Sequence, residues 1–139
     1  MSGRANHAEG VELARRCLQQ QGFTILKPQG GARGYAEIWA ERSEGGRTVR
    51  YGIRVKVRHM VMQDGGLNNR YKLGEKGQIE AAAAVCALVF TAAWIAVEFD
   101  KETANVYFGL FDALNGAKAI SMSEVDRRNY ECLGRDVIR

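Results

Sequence analysis

The chain has 139 residues, which suits one domain, spanning 1–139, with a single buried core. Hydrophobic residues make up 46% and charged residues 26%, which excludes a disordered chain, and one proline leaves no room for a Pro-rich linker. A formal charge of +4 and a pI of about 9.1 suit a polyanionic partner rather than a basic one.

The opening residues lack the apolar stretch of a signal peptide, and 1–6 are expected to form a flexible terminus. From His7 to Gln21, Val11, Leu13, Ala14, Cys17 and Leu18 recur at helical spacing, and Gly22 offers a left-handed stop. Phe23 to Leu26 is a short strand closed by Pro28, and the glycine-rich residues Gln29 to Gly34 form a loop. Tyr35 to Glu41 alternates as a strand, and Ser43 to Gly46 is a turn. In the next strand Val49, Tyr51, Ile53, Val55 and Val57 alternate with Arg50, Gly52, Arg54, Lys56 and Arg58, so one face is apolar and the other basic.

Gln63 to Gly77 is expected to be a long mobile loop, and Glu75 to about Thr91 a helix on its alanine content. Ala81 to Val97 carries no charge, but it is alanine-rich and short for a membrane span, and Glu98 and Asp100 follow at once. A buried helix running into a buried strand accounts for it better. Trp94 to Phe99 is that strand, Asp100 to Asn105 a hairpin turn and Val106 to Phe111 the returning strand. Past Gly116 and the pair Ala119-Ile120, Ser121 or Ser123 caps a closing helix from Glu124 to Leu133. The order α-β-β-β-α-β-β-α predicts an α/β (α+β) fold with a central mixed sheet flanked by helices. Cys17, Cys86 and Cys132 are odd in number and lack zinc-site spacing, as expected of free thiols in a reducing, cytoplasmic setting.

Three segments carry a likeness beyond pattern. They are GVELARRCLQQQGFTIL, GYAEIWAERSEGGRTVRYGIRVKVR and AAWIAVEFDKETANVYFGLFDAL, together with the order of elements they build. Over roughly residues 7 to 133 the chain resembles the PD-(D/E)XK nucleases, in the branch that includes intron-encoded and uncharacterised bacterial members. The resemblance implies a restriction-endonuclease-like fold. It also implies a Mg²⁺ held by carboxylates on neighbouring strands, with a lysine two residues beyond the second acid orienting water and phosphate. Lys56 stands where that lysine would, but Arg54 replaces the acid, and a guanidinium cannot coordinate a cation. If Tyr35 matches the family tyrosine, Ala36 takes the first acid's place and Glu37 falls one residue late, on the opposite face unless a bulge returns it.

The candidate catalytic residues are therefore Lys56, Glu37 and, from the first helix, Glu12, with Glu37 the candidate metal ligand. Candidate nucleic-acid contacts are Arg50, Arg54, Lys56 and Arg58 on the basic face, extended by Arg33, Arg70 and Lys72. That face reads equally as the solvated side of an antiparallel sheet, and Glu37 and Glu41 as counter-ions to the next strand. His59, alone at a strand end, is a ligand or base less often than neither, and His7 falls in the fraying terminus. Trp39 and Trp94 read as core.

The expectation is a nucleic-acid-binding protein on a nuclease-like fold. It is either a divergent Mg²⁺-dependent DNA endonuclease or an inactive relative, with DNA as partner and no membrane. Homo-oligomers through a sheet edge or helix are compatible with it. The alternative is a protein-interaction, inhibitor or assembly module on the same scaffold.

Overall fold

A computed structural model describes residues 6–28, 34–114, 116 and 119–139. Residues 1–5 of the flexible terminus expected at 1–6, most of the first glycine-rich loop and Arg33 lie outside the described residues.

Helix α1 (His7–Gln20) begins where the Asn6 side chain accepts a hydrogen bond from the Glu9 amide, 3.0 Å, and ends before Gly22, which has φ +88°. It buries Gly10, Leu13, Ala14, Cys17 and Leu18 on one face. Strands β1 (Thr24–Leu26), β2 (Ile38–Glu44) and β3 (Arg47–His59) form an antiparallel meander. The β2–β3 turn is Gly45-Gly46, both at positive φ (58° and 80°), as a two-residue hairpin requires.

After β4 (Arg70–Lys72) the chain enters α2 (Lys76–Cys86), and β5 (Thr91–Phe99) then pairs parallel to β3. Parallel neighbours need such a crossover. β6 (Thr103–Leu110) returns antiparallel and is followed by a 3-10 turn at Phe111–Leu114, β7 (Ala119–Ser121), α3 (Glu124–Arg127) and β8 (Glu131–Ile138). The main sheet runs β1-β2-β3-β5-β6-β8, and β4 with β7 makes a second, two-stranded sheet. The mixed α+β architecture is as expected.

The main sheet has apolar material on both faces. On one, α1 packs through Leu13, Ala14, Cys17 and Leu18 against Ile53, Val55, Val57, Ile95 and Val97. On the other, Trp39, Trp94, Ala96 and Tyr107 meet Tyr71, Leu73, Ile79, Cys86 and Ile120. A strand covered on both sides reads as an apolar run, as Ala93 to Val97 do in β5, where burial continues through Glu98 to Phe99. The sheet curls enough for Arg42 on β2 to reach Glu131 on β8, 2.7 and 3.0 Å, across three intervening strands.

Several expectations need correction. β2 starts at Ile38, not Tyr35, and continues to Glu44, so the turn is confined to the two glycines. The loop expected at 63–77 contains β4, and Leu67 within it bridges antiparallel to Val61 ahead of it. α2 ends at Cys86, short of Thr91. The closing helix is a single turn, capped by Ser123, and β8 replaces the rest of it. The uncharged stretch 81–97 divides between α2 and β5, and no helix among the described residues is long and apolar enough to cross a membrane. The three cysteines are free, Cys17 and Cys86 of them buried.

Candidate functional site

β2 and β3 pair from the Gly-Gly turn as far as Ile38 and Ile53 and then part. Beyond Ile53, β3 continues six residues with β5 on one side and, among the described residues, no strand paired on the other. Its edge is closed there by side chains instead. Glu37 Oε1 accepts from the Val55 amide at 3.0 Å, and the Arg58 guanidinium donates to the Val57 carbonyl at 2.8 Å. The fork opens a cleft of about 380 Å³ lined by His7, Glu37, Arg54, Lys56 and Leu73 among others.

Glu37 thus shares the cleft with Lys56, and no bulge is needed. Tyr35 and Trp39, two residues either side of Glu37, both join the apolar cluster on the cleft's side of the sheet. Ala36 packs against the same cluster and position 37 is a bend ahead of β2, so strand alternation does not set its direction; its contacts do, with Oε1 on the Val55 amide at the open edge of β3. The expected slip to the far face assumed a strand running from Tyr35 through Glu37, and those residues precede β2, so the strand rule does not apply to them. Glu37 also contacts His7 Nε2, so the residue expected to fray forms one wall of the cleft.

Arg54 is a brace. Its Nε donates to the Leu73 carbonyl at 2.9 Å, and its Nη1 to the carbonyls of Tyr35 (3.1 Å) and Gly34 (3.3 Å). It ties the segment entering β2 to the segment leaving β4. Lys56 is different. No described residue hydrogen-bonds or pairs with its ammonium, and the side chain is half-buried. Desolvation, then Arg58 and Arg54, hold its pKa below the ordinary 10.5, with Lys72 adding to the effect and Glu37 opposing it. Lys72 itself pairs with Glu75 at 3.1 Å.

The structure separates the other candidates. Arg50 is exposed near the hairpin turn and pairs with Glu41 at 3.3 Å, the cross-strand counter-ion role foreseen for Glu41. Glu12 is 72% exposed and pairs with Arg15, so it does not point into the fork as the resemblance implied. Arg70 is exposed on β4. The basic stripe is also not the outer face of a bare sheet, because Arg54, Lys56 and Arg58 are partly covered by the second layer. Trp39 and Trp94 are core residues. His59 closes β3, and its buried Nε2 has no hydrogen-bond partner among the described residues.

One cluster escaped the sequence. Glu98 on β5 is fully buried, and its oxygens accept from Arg127 (2.5 and 2.7 Å), Asn105 (3.0 Å) and Tyr71 (3.3 Å). These partners lie 7 to 29 residues away, and no local spacing announces them. With its lone pairs taken, Glu98 anchors α3 to the sheet and has no capacity left for a ligand.

A hard divalent cation needs several oxygen ligands. The cleft offers one carboxylate, already engaged by the Val55 amide and His7, with a guanidinium and an ammonium beside it. Among the described residues no group of three or more His, Cys, Asp or Glu side chains is arranged to hold a metal. The described residues do not fit Mg²⁺. What the fork can do is offer charge to an anion: Arg54 and Lys56 within it, Arg58 and Lys72 at its border. Comparison of the chain with protein-family models, with curated proteins and with solved structures finds no match in any of the three.

Proposed function

We propose that the chain binds the phosphodiester backbone of a nucleic acid, DNA in the first instance, on a restriction-endonuclease-like fold without the metal site. The helix, the meander, the crossover helix and the parallel β5 support that fold, since they follow the order the resemblance implies. One observation carries the functional reading. Lys56 is a half-buried ammonium with no described hydrogen-bond or ion-pair partner, in a cleft it shares with Arg54 and one carboxylate, Glu37, while Arg58 and Lys72 act on it from outside the lining. Like charges gathered this closely raise each other's energy, and a phosphate relieves all of them at once. Lys56 would meet the phosphate as a point charge, Arg58 and Lys72 would flank it, and Arg54 would hold the walls of the fork.

The test is the salt dependence of binding to a labelled DNA duplex between about 50 and 200 mM salt. The expected result is a linear fall of log K against log salt with a slope of several counterions. No binding at the low-salt end overturns the reading. Plasmid incubated with Mg²⁺ or Mn²⁺ is expected to stay intact. Cleavage by the wild type that is lost in Lys56→Ala would restore a catalytic role to the lysine.

A second reading, self-assembly, draws on the outer side of α2 and the turn after it. There Val85, Leu88 and Val89 are 51%, 82% and 59% exposed. Sedimentation across a concentration series tests it: a monomer throughout removes this reading and leaves the first untouched.

A further inference from the structure

We infer that the cleft cuts single-stranded RNA without a metal, with His7 as the base and Lys56 as the acid; this rests on the nucleic-acid reading above. Glu37 Oε2 holds His7 Nε2, and Glu37 Oε1 is itself fixed by the Val55 amide at 3.0 Å. A carboxylate only accepts, so Nε2 carries the hydrogen and the neutral ring keeps its lone pair on Nδ1. No described residue hydrogen-bonds Nδ1, and the His7 side chain is 53% exposed. The backbone of β3 thus orients the carboxylate, the carboxylate orients the imidazole, and the remaining nitrogen is free to take a proton. General-base catalysis asks for that chain of support.

An ion pair of this kind on an open surface would carry no such reading, and the lysine in the same cleft of about 380 Å³ is what changes it. Lys56 comes to the cleft from the other side of the sheet edge. α1, which begins with His7 and sets Gly10 against Val57, packs on the face of Ile53, Val55 and Val57, whereas Lys56 alternates to the opposite face. Displacement at phosphorus sends the attacking and leaving oxygens to opposite sides, so a base and an acid on the two faces of one open edge suit it. Desolvation, with Arg58 and Arg54 beside it, keeps the Lys56 ammonium below the ordinary 10.5, which makes it a better proton donor than a free lysine.

The step balances without a co-reactant. The 2′-oxygen bonds to phosphorus and its proton passes to His7 Nδ1. The bond from phosphorus to the 5′-oxygen breaks, and that oxygen takes the Lys56 proton. The products are a 2′,3′-cyclic phosphate and a free 5′-hydroxyl, nothing is oxidised or reduced, and proton exchange with water resets both side chains. DNA lacks the 2′-hydroxyl and binds uncut. A single strand is preferred to a duplex, because its unstacked linkages can turn the 2′-oxygen into line.

The experiment incubates the full chain, with EDTA present, with an end-labelled single-stranded RNA and with DNA of the same sequence. The RNA is expected to be cut to products ending in a 2′,3′-cyclic phosphate, read by mass spectrometry, while the DNA stays whole. His7→Ala should lower the rate about 10²–10⁴-fold and keep the salt slope of binding, and imidazole added to the buffer should restore part of the rate. Asn6 rather than His7 caps α1, so this variant keeps the helix. Lys56→Ala should lose rate to a similar degree. Glu37→Gln should lower kcat and leave KM unchanged, as expected of a positioning residue. RNA left whole by a wild type that binds it with the expected salt slope overturns the cleavage and leaves phosphate binding standing. Equal cutting by wild type and His7→Ala, or cutting only when Mg²⁺ is added, overturns it as well. No salt-dependent binding of either strand overturns both readings.

Discussion

Each hydrogen bond of the Arg54 guanidinium goes to a backbone carbonyl, so its role was not legible in residue types. From the sequence it was a lost acid; in the fold it joins three chain positions some twenty residues apart. Arg54→Ala leaves the Tyr35 and Leu73 carbonyls without that donor and should cost about 1–3 kcal/mol in urea unfolding. Arg54→Lys should recover only part, because a single ammonium does not reproduce the fork of donors. An unchanged midpoint in Arg54→Ala would remove the brace. Lys56 makes the opposite prediction. Its folded pKa lies below the unfolded 10.5, so the folded state gives up this proton first. Stability from this group is therefore lowest at neutral pH and rises as pH climbs from the depressed value towards 10.5, where the unfolded chain still holds the proton. Lys56→Met should be more stable than wild type at neutral pH, with the gap closing by about pH 10.5. Urea midpoints across that range decide it, and a gap that widens with pH would contradict the assignment.

Elements were legible in proportion to how regular their burial is. β3 could be read because its Tyr51–Val57 alternation is uninterrupted and faces α1. β8 could not. It is an edge strand with register shifts opposite Ala104 and Val106, Gly134 in its middle and Asp136 at a positive φ of 51°, so no clean period survives in its sequence. The single turn of α3 likewise has no propensity to support it alone, since a helix nucleus is costly. Its stability comes from Arg127, which binds buried Glu98 and donates to the Met122 carbonyl at 2.6 Å. Arg127→Ala would strand a buried carboxylate and should cost about 3–5 kcal/mol, whereas Glu98→Leu with Arg127→Leu should lose much less. A double variant as unstable as the single one would mean that the pair itself, rather than the unpaired charge, carries the energy. At the other layer, a Cβ at Gly10 would lie 2.2 Å from Val57 Cγ2, so α1 sits on β3 only because that position is bare. Gly10→Ala gains helix propensity of about 1 kcal/mol yet should be net destabilising through the overpacked contact. Adding Val57→Ala to it should return part of the loss, and thermal unfolding of the two variants checks this.

At the scale of the whole molecule, a surplus of +4 would by itself draw any polyanion, and a diffuse field has to be told apart from a built site. Arg50 and Lys56 allow it, because they stand six residues apart on the same strand face and differ in setting. Arg50 is exposed and paired with Glu41; Lys56 is half-buried, without a described partner, and inside the fork. Replacing either by alanine lowers the net charge by one, so a purely diffuse field predicts the same loss of DNA affinity from both. A phosphate seated at the fork predicts inequality. Lys56→Ala should remove one contact and flatten the slope of log K against log salt by about 0.9, while Arg50→Ala should leave the slope within error. Because the salt slope counts displaced ions rather than affinity, a small change of fold in either variant does not imitate the result. Equal slopes in the two variants would reduce the fork to ordinary surface charge and leave the basic pI as the whole account of binding.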